Sequence, residues 1–377
     1  MYFTRNIEEI IKKDLNKGKI LIIYGARQVG KTTMLKQVLP QSEMLWLACD
    51  EGRIQAKITP DSLALRELFG GAKLVVFDEM QTIENPGRVL KLIADHLPDT
   101  TAIATGSSAF DLANKVSEPL TGRFFSYVLY PLAFSELTRN TPRTDLGFFM
   151  DQCLLFGSYP GVVTAVSREE KIRKLELLSD SYLYKDILEF DLVKDSATIR
   201  NLLVALALQI GSEVSYQELA TKIGMTYKTV QRYIDLLEKS FVIFRLRAFA
   251  GNKRNELTRK VKIYFYDCGI RNVLINNFNP LSLRSDGGAL FENFIVAERM
   301  KRESWQPQRT NRYFWRTYDQ HEIDLIEEQN GRITATEIKL SRPSREIKPK
   351  KFFADYPDAT FQLMSKDQPL TVSDWLQ

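Results

Sequence analysis

Between an apolar run, Lys19 to Tyr24 (Lys-Ile-Leu-Ile-Ile-Tyr), and a helical pattern that begins near Lys31 stands Gly25-Ala-Arg-Gln-Val-Gly-Lys-Thr32. Nothing else in the chain restricts its fold as tightly. The apolar run reads as a buried parallel strand. The segment after it matches a phosphate-binding loop at every fixed position. Glycines let backbone N–H groups turn inward around phosphates, and the following helix N-terminus adds a favourable dipole. The lysine reaches the β and γ phosphates, and the threonine hydroxyl binds magnesium. On this reading ATP is held by Gly25, Gln28, Val29, Gly30, Lys31, Thr32 and Thr33. Lys31 is also catalytic, and Thr32 is a ligand of the ATP magnesium.

Further apolar runs follow at Met44–Cys49, Leu74–Phe77, Thr101–Thr105 and Tyr127–Tyr130, with helical patterns such as Arg88–Leu97 between them. Strands alternating with helices predict a parallel, doubly wound sheet. Leu74-Val-Val-Phe-Asp-Glu79 ends a buried strand in two carboxylates. That pattern places Asp78 on the magnesium and Glu79 on the attacking water. Thr105-Gly-Ser-Ser108 ends the next strand; Ser107 is the candidate catalytic residue there, Ser108 the alternative, and a turn capped by serines the plain reading. Arg123 reads either as an arginine finger neutralising phosphoryl-transfer charge across a subunit interface or as a surface arginine.

The 377 residues exceed one ordinary domain and predict two or three. No apolar run approaches a membrane span, and the charged N-terminus lacks the apolar core of a signal peptide, so a cytoplasmic protein with no membrane partner is expected. Three scattered cysteines and two histidines have neither disulfide-framework nor zinc-ligand spacing. The net charge of +5 is mild, but it is unevenly placed: Arg245, Arg247, Lys253, Arg254, Arg259, Lys260 and Lys262 crowd one stretch holding a single acid, Glu256. A second basic run extends from Lys339 to Lys351.

After Pro131 the pattern changes. Residues 146–190 read as helical, with a break at Gly157-Ser-Tyr-Pro-Gly161. Helical segments at Ile199–Ile210, Ser215–Ile223 and Thr226–Lys239, then strands at Val242–Phe249 and Lys260–Tyr266, describe a winged helix. Gly224 sits at the turn and Thr226 caps the next helix. Thr226, Tyr227, Lys228, Gln231 and Arg232 would lie on or near its exposed face. The expected DNA contacts are Lys228 and Arg232, with Arg245, Arg247, Lys253 and Arg254 on the wing against phosphates. The alternative is a winged helix that only packs on protein.

A helix at Gly288–Lys301 and strands at Tyr313–Tyr318, Glu322–Glu327 and Ile333–Leu340 follow, with Asn330-Gly331 as a two-residue hairpin turn. A closing helix is expected within 346–355. Asp324 and Glu337-Ile-Lys339 stand on the hairpin and Glu292 on the helix. Two carboxylates and a lysine on adjacent strands can hold magnesium and orient a hydroxide for phosphodiester attack. This pattern is similar to that of restriction-endonuclease-like nucleases. The bland alternative is the charged solvent face of a hairpin.

The residues at Gly25–Thr33, Phe77–Gln81, Thr105–Ser108, Thr121–Arg123, Pro131–Glu136, Gly157–Gly161 and Tyr184–Ile187 resemble a widespread prokaryotic family of AAA-type ATPases that carry a C-terminal domain of unknown function. The resemblance implies ATP binding and hydrolysis, near the initiator-like and signalling branches of that superfamily. In it the residue at Ser107 would be called sensor 1. The expected fold is α/β: an AAA-type core over 1–140, a helical lid or connector over 141–192, a winged helix over 193–275, and a restriction-endonuclease-like domain over 285–377. The leading expectation is an ATP-driven DNA-binding protein that assembles as a homo-oligomer through its ATPase domain, with magnesium-dependent nuclease activity left open. The alternatives are a signalling switch with a protein partner and a helicase or branch-migration motor.

Overall fold

The computed structural model describes residues 1–15, 17–40, 42, 44–107, 120–180, 196–249, 261–306, 308–317, 319, 321–344 and 348–367. Two units divide the chain, Met1–Pro131 with Lys239–Phe241 and Leu132–Glu238 with Val242–Gln377.

The first unit is a five-stranded parallel sheet with helices between strands. Helix α1 (Glu8–Asp14) precedes β1 (Ile20–Tyr24), followed by α2 (Lys31–Val38), β2 (Met44–Ala48), α3 (Ser62–Phe69), β3 (Leu74–Asp78), α4 (Pro86–His96), β4 (Thr101–Gly106) and β5 (Phe124–Val128). All five residues of β1 are buried, as expected of an inner parallel strand. The strand order is β2-β3-β4-β1-β5. One strand, β4, therefore separates the loop-bearing β1 from the carboxylate-bearing β3. Its register, Ile23↔Thr105 on one side and Phe77↔Ala104 on the other, brings the end of β4 between the two functional tips.

In the second unit, α5 (Leu146–Phe156), a turn at Pro160–Val163 and α6 (Arg168–Leu178) match the broken helical segment read from sequence. Gly157 explains the break. Its φ is +73°, and a Cβ there would lie 2.0 Å from Asp267 Oδ1. Asp267 Oδ2 accepts the Ser158 amide at 2.6 Å. The Lys301 ammonium, buried nearby, donates to Leu132 O, Ser158 Oγ and Glu298 Oε1 at 3.2, 3.1 and 2.8 Å.

The rest of this unit runs α7 (Ser196–Leu208), β6 (Glu213–Val214), α8 (Tyr216–Ile223), α9 (Tyr227–Lys239), β7 (Ile243–Ala248), β8 (Val261–Phe265), α10 (Cys268–Leu274), α11 (Gly287–Arg302), β9 (Asn311–Arg316), β10 (Glu322–Gln329), β11 (Arg332–Lys339), α12 (Lys350–Asp355) and β12 (Thr360–Ser365). One sheet in the order β12-β11-β10-β9-β7-β8-β6 includes every strand among the described residues of this unit. Asn330 and Gly331, with φ of +52° and +77°, form the tight β10–β11 turn with both central residues left-handed. β7 pairs parallel to β9 through Arg247↔Tyr313 and Ala248↔Phe314. Phe249 then joins the core made by Trp315, Ile323, Ile326, Ala335 and Phe352. The segments read from sequence as a hairpin and as a C-terminal domain thus share one sheet. Among the described residues no helix is long and apolar enough to cross a membrane.

Candidate functional site

The loop after β1 takes its shape from its glycines. A Cβ on Gly25 would fall 2.1 Å from Leu129 O, so only glycine fits where the loop passes β5. Gly30 caps α2 in the left-handed region, and Gln28 also has positive φ. Lys31 is buried, its ammonium donating to Gly25 O at 2.8 Å and Ala26 O at 3.1 Å. Val29 is buried, while Gln28 and Thr33 are exposed. The Thr32 hydroxyl donates to Asp78 Oδ2 at 2.9 Å. A loop hydroxyl and a strand-tip carboxylate therefore meet at the two oxygens expected to share a magnesium ion, and the donor set suits that hard cation.

Glu79 follows Asp78 in the left-handed region, φ +56°, an uncommon conformation for a non-glycine residue. Thr105 holds this corner. Its Oγ1 donates to Asp78 Oδ1 at 2.6 Å and accepts the Glu79 amide at 3.0 Å. Gln81 Nε2 bridges Glu79 Oε2 at 2.5 Å and Ser107 Oγ at 3.2 Å. Ser107 thus reaches Glu79 through an amide, and Ser108 lies outside the described residues. Thr105 and Gln81 lie within motifs read from the sequence, where neither had an assigned role. Sequence reasoning passed over Arg5, which is buried beside the loop and donates to Val29 O at 2.9 Å and Tyr130 O at 2.6 Å.

Arg123 ends elsewhere. Its carbonyl accepts the Ile20 amide at the start of β1, the strand end opposite the loop, and its guanidinium pairs with Asp95 at 2.8 Å. A role on the loop of the same chain is therefore closed to it. Cys49, Cys153 and Cys268 are buried free thiols, and burial pushes Cys49 up to about 12.

Gly224 ends α8 with φ +69°, and Thr226 Oγ1 accepts the Thr229 amide at 3.2 Å, the two turn features read from sequence. Thr226, Tyr227, Lys228, Gln231 and Arg232 are exposed. Arg247 is exposed on β7. Arg245 differs from expectation: it pairs with Asp235 at 2.7 Å and donates through Nε to Glu238 at 2.9 Å. These acids, on the helix before β7, neutralise it locally. Lys253 and Arg254 lie outside the described residues.

The carboxylates of the C-terminal half gather around two lysines. Lys339 stands 2.6 Å from Glu337 Oε1 and 3.7 Å from Asp324 Oδ2. Asp324 Oδ2 also accepts the Ile338 amide at 2.7 Å. Glu292 Oε1 accepts from Lys262 at 3.1 Å and from the Tyr264 hydroxyl at 2.6 Å, and Lys262 also meets Glu322 at 2.5 Å. Burial pushes Glu292 up to about 7, against the pull of Lys262, and raises Asp324 and Glu337 as well. Glu337 Oε2 is buried without a hydrogen-bond partner. Among the described residues, no three His, Cys, Asp or Glu side chains form a ready metal cage. Asp324 and Glu337 both stand beside Lys339. Glu292 is engaged by Lys262 and Tyr264, two residues that sequence reasoning did not place here.

Residues 17–138 match the profile of an AAA domain, residues 149–281 a Domain of unknown function (DUF8612), and residues 287–374 a Domain of unknown function (DUF4143). An uncharacterized protein of Mycobacterium tuberculosis is 28% identical over 338 residues, covering 89% of this chain and 73% of that one. An uncharacterized protein of Methanocaldococcus jannaschii is 23% identical over 380 residues, covering 90% and 80%. A Signal Transduction ATPase with Numerous Domains protein with a tetratricopeptide repeat sensor, from Pyrococcus horikoshii, aligns at 11% identity and TM-score 0.31 over 81% of this chain. The chain spans 46% of that protein's length.

Proposed function

We propose that this chain, an AAA-type P-loop ATPase with a C-terminal domain of unknown function, binds ATP with Mg2+ at Gly25–Thr32, hydrolyses it, and couples the cycle to DNA binding. The observation that carries the first part is the meeting of Thr32 and Thr105 on Asp78, with Glu79 held beside them. Lys31 exchanges its loop carbonyls for the β and γ phosphates when nucleotide enters. Thr32 and Asp78 would hold the magnesium ion, which would supply charge neutralisation at the phosphates. Glu79, steadied by Gln81, orients the water whose oxygen attacks the γ phosphorus as the bond to the bridging oxygen breaks. Arg123 acts on the loop of a neighbouring copy in a homo-oligomer. Lys31→Ala is expected to abolish nucleotide binding, and Glu79→Gln to keep binding and lose turnover. An active Glu79→Gln protein would sink this assignment.

The DNA part rests on the exposed face of α9, with Lys228 and Arg232, and on Arg247. Three helices, the short strand β6 and the β7–β8 pair support a winged helix, and Lys253 and Arg254 belong to the same reading. The test is the ATPase rate and DNA affinity with duplex, single-stranded and branched DNA at two salt concentrations. Salt-sensitive binding that weakens in Lys228→Ala and Arg232→Ala supports it. No stimulation and no salt-sensitive binding would instead favour the second reading, a signalling switch with a protein partner, to which the local neutralisation of Arg245 lends support. Strand separation driven by ATP would identify a motor.

Magnesium-dependent cleavage is a narrower reading of Asp324, Glu337 and Lys339. The residues fit a cation in that Glu337 Oε2 lacks a partner and burial disfavours the carboxylates' charge. Glu292 stands close enough to feel the charge of Asp324, while its carboxylate accepts from Lys262 and Tyr264. Asp324→Ala is expected to abolish any magnesium-dependent DNA cleavage and any Mn2+ binding by calorimetry in the Lys31→Ala background. Cleavage that survives Asp324→Ala would rule the reading out.

A further inference from the structure

A polar cavity of about 300 Å³ lies between the last turn of α11 and one face of the β9–β10–β11 ribbon, and it shares no residue with the carboxylate cluster. Its floor follows from the register. Glu327 stands opposite Arg312 on β9 and Thr334 on β11, and Gln329 stands opposite Arg332. Directly paired residues share a sheet face, so these side chains point the same way. Its wall is Arg299 and Arg302, one helical turn apart. Four arginines and a single carboxylate thus line one cavity.

Three of these arginines are not surface groups. Arg299 and Arg302 are 7% and 8% exposed, and the Arg312 side chain 4%. Glu327 is shared between Arg312, at 3.0 Å, and Arg299, at 3.8 Å. Glu303 takes a second Arg312 nitrogen at 2.9 Å from outside the lining. In the orientation that satisfies both groups, the Gln306 amide oxygen faces Arg302 Nε and Nη2 at 2.6 Å. Burial, then the neighbouring Arg299, pushes Arg302 down to about 10, against the pull of Glu327. A buried cationic excess is costly unless an anion completes it. Guanidinium forks match the oxygens of phosphate in paired hydrogen bonds, which makes phosphate the best fit among anions. The volume is at the lower end of ligand pockets, about 300–1,000 Å³, enough for a phosphate with a group attached. Gln308 and Arg332 are exposed at the mouth and leave it open to solvent.

We propose that this cavity is a phosphate-binding site, chelating with Arg299, Arg302 and Arg312 a phosphate dianion carried by a mononucleotide or by the end of a nucleic-acid strand. It is independent of the ATP loop and of the cleavage reading above. The experiment uses the full chain carrying Lys31→Ala, so that the loop does not compete. Calorimetry and thermal melts are run with inorganic phosphate, a 5′-mononucleotide and its nucleoside, and one oligonucleotide bearing either a 5′-phosphate or a 5′-hydroxyl. Saturable phosphate binding is expected, weakened about tenfold or more in Arg302→Gln, with the phosphate-dependent rise in Tm lost. Arg332→Gln, at the exposed rim, keeps the fold and is expected to weaken binding less. Preference for the 5′-phosphorylated strand assigns the site to strand ends. Preference for the mononucleotide over its nucleoside, without discrimination between strands, assigns it to a small molecule. The proposal is overturned if folded protein shows no saturable phosphate binding, if both arginine variants bind as tightly as their parent, or if neither phosphorylated ligand is preferred.

Discussion

Thr105 Oγ1 lies 2.6 Å from Asp78 Oδ1 while accepting the Glu79 amide at 3.0 Å, so one hydroxyl holds the Asp78 carboxylate and the backbone of Glu79 together. Thr32 Oγ1 lies 2.9 Å from the other Asp78 oxygen and 3.2 Å from the one that Thr105 holds. The backbone of Glu79 is kept in its left-handed turn. Thr105→Val should therefore lower kcat about 10- to 100-fold, the scale of a small misplacement of catalytic groups, while KM for ATP stays within a few-fold. Thr105→Ser restores the hydroxyl and most of the rate. Steady-state kinetics on the three proteins check this, and unchanged kcat in Thr105→Val would refute it.

Arg5 ties the N-terminal segment to the loop through Val29 O and Tyr130 O. Arg5→Ala leaves those buried carbonyls without that donor. A loss of about 1–3 kcal/mol in stability is expected. The same change should weaken ATP binding, because the carbonyl of Val29 belongs to the phosphate loop. Denaturation midpoints and fluorescent-nucleotide titration measure the two effects separately.

Lys301, Glu298 and Asp267 form a buried network around Ser158. Glu298 Oε2 also accepts the Phe134 amide at 2.7 Å. Lys301→Met strands two buried carboxylates and should cost about 3–5 kcal/mol. Lys301→Met with Glu298→Gln removes one of those charges, so the double variant should be more stable than Lys301→Met alone. Urea denaturation of both checks the order.

Asp286, at the N-terminus of α11, is held well below the ordinary carboxylate value of 3.8 by hydrogen bonds from Arg284 and then Arg271. The folded value is depressed, so this group's stabilisation is present above pH 3.8 and is lost as pH falls below it through the folded value. Asp286→Asn should lower stability at pH 7 by about 1.5–3 kcal/mol and flatten the acid limb of the stability curve. Thermal melts between pH 2 and 7 test both. An acid limb as steep as the parent's would contradict the assignment.

The loop, the β3 carboxylates and the parallel sheet were legible in sequence because each is contiguous and the inner strands β1, β3 and β4 are almost wholly buried. Glu322–Gln329 and Arg332–Lys339 were legible for a similar reason, with Asn330-Gly331 marking the turn. What stayed hidden depends on partners distant in the chain. Thr105 outranks Ser107 at Asp78 only through the β4 register, since the three hydroxyls look alike in sequence. Arg245 read as part of a basic wing until Asp235 and Glu238, on the preceding helix, claimed it. Lys262 belonged to the same basic run, yet it is buried between Glu292 and Glu322. Thr360–Ser365 lacks clean alternation, and its pairing beside β11 joins segments with a helix between them. The four arginines of the polar cavity come from a helix and two strands, and no spacing rule gathers them.

The parallel pairing of β7 with β9 bears on how this half of the molecule could be inherited or divided. The profiles meet between residues 281 and 287, yet the Phe249 amide donates to Phe314 O at 2.7 Å, and the Phe249 ring packs with Trp315 and Phe352. A fragment starting at residue 287 would bare the flank of β9 and lose an aromatic ring from its interior. Such an open strand flank invites another chain to pair with it. The two segments therefore form a single structural building block. Shuffling one without the other would yield a sticky fragment, so recombination should preserve them together.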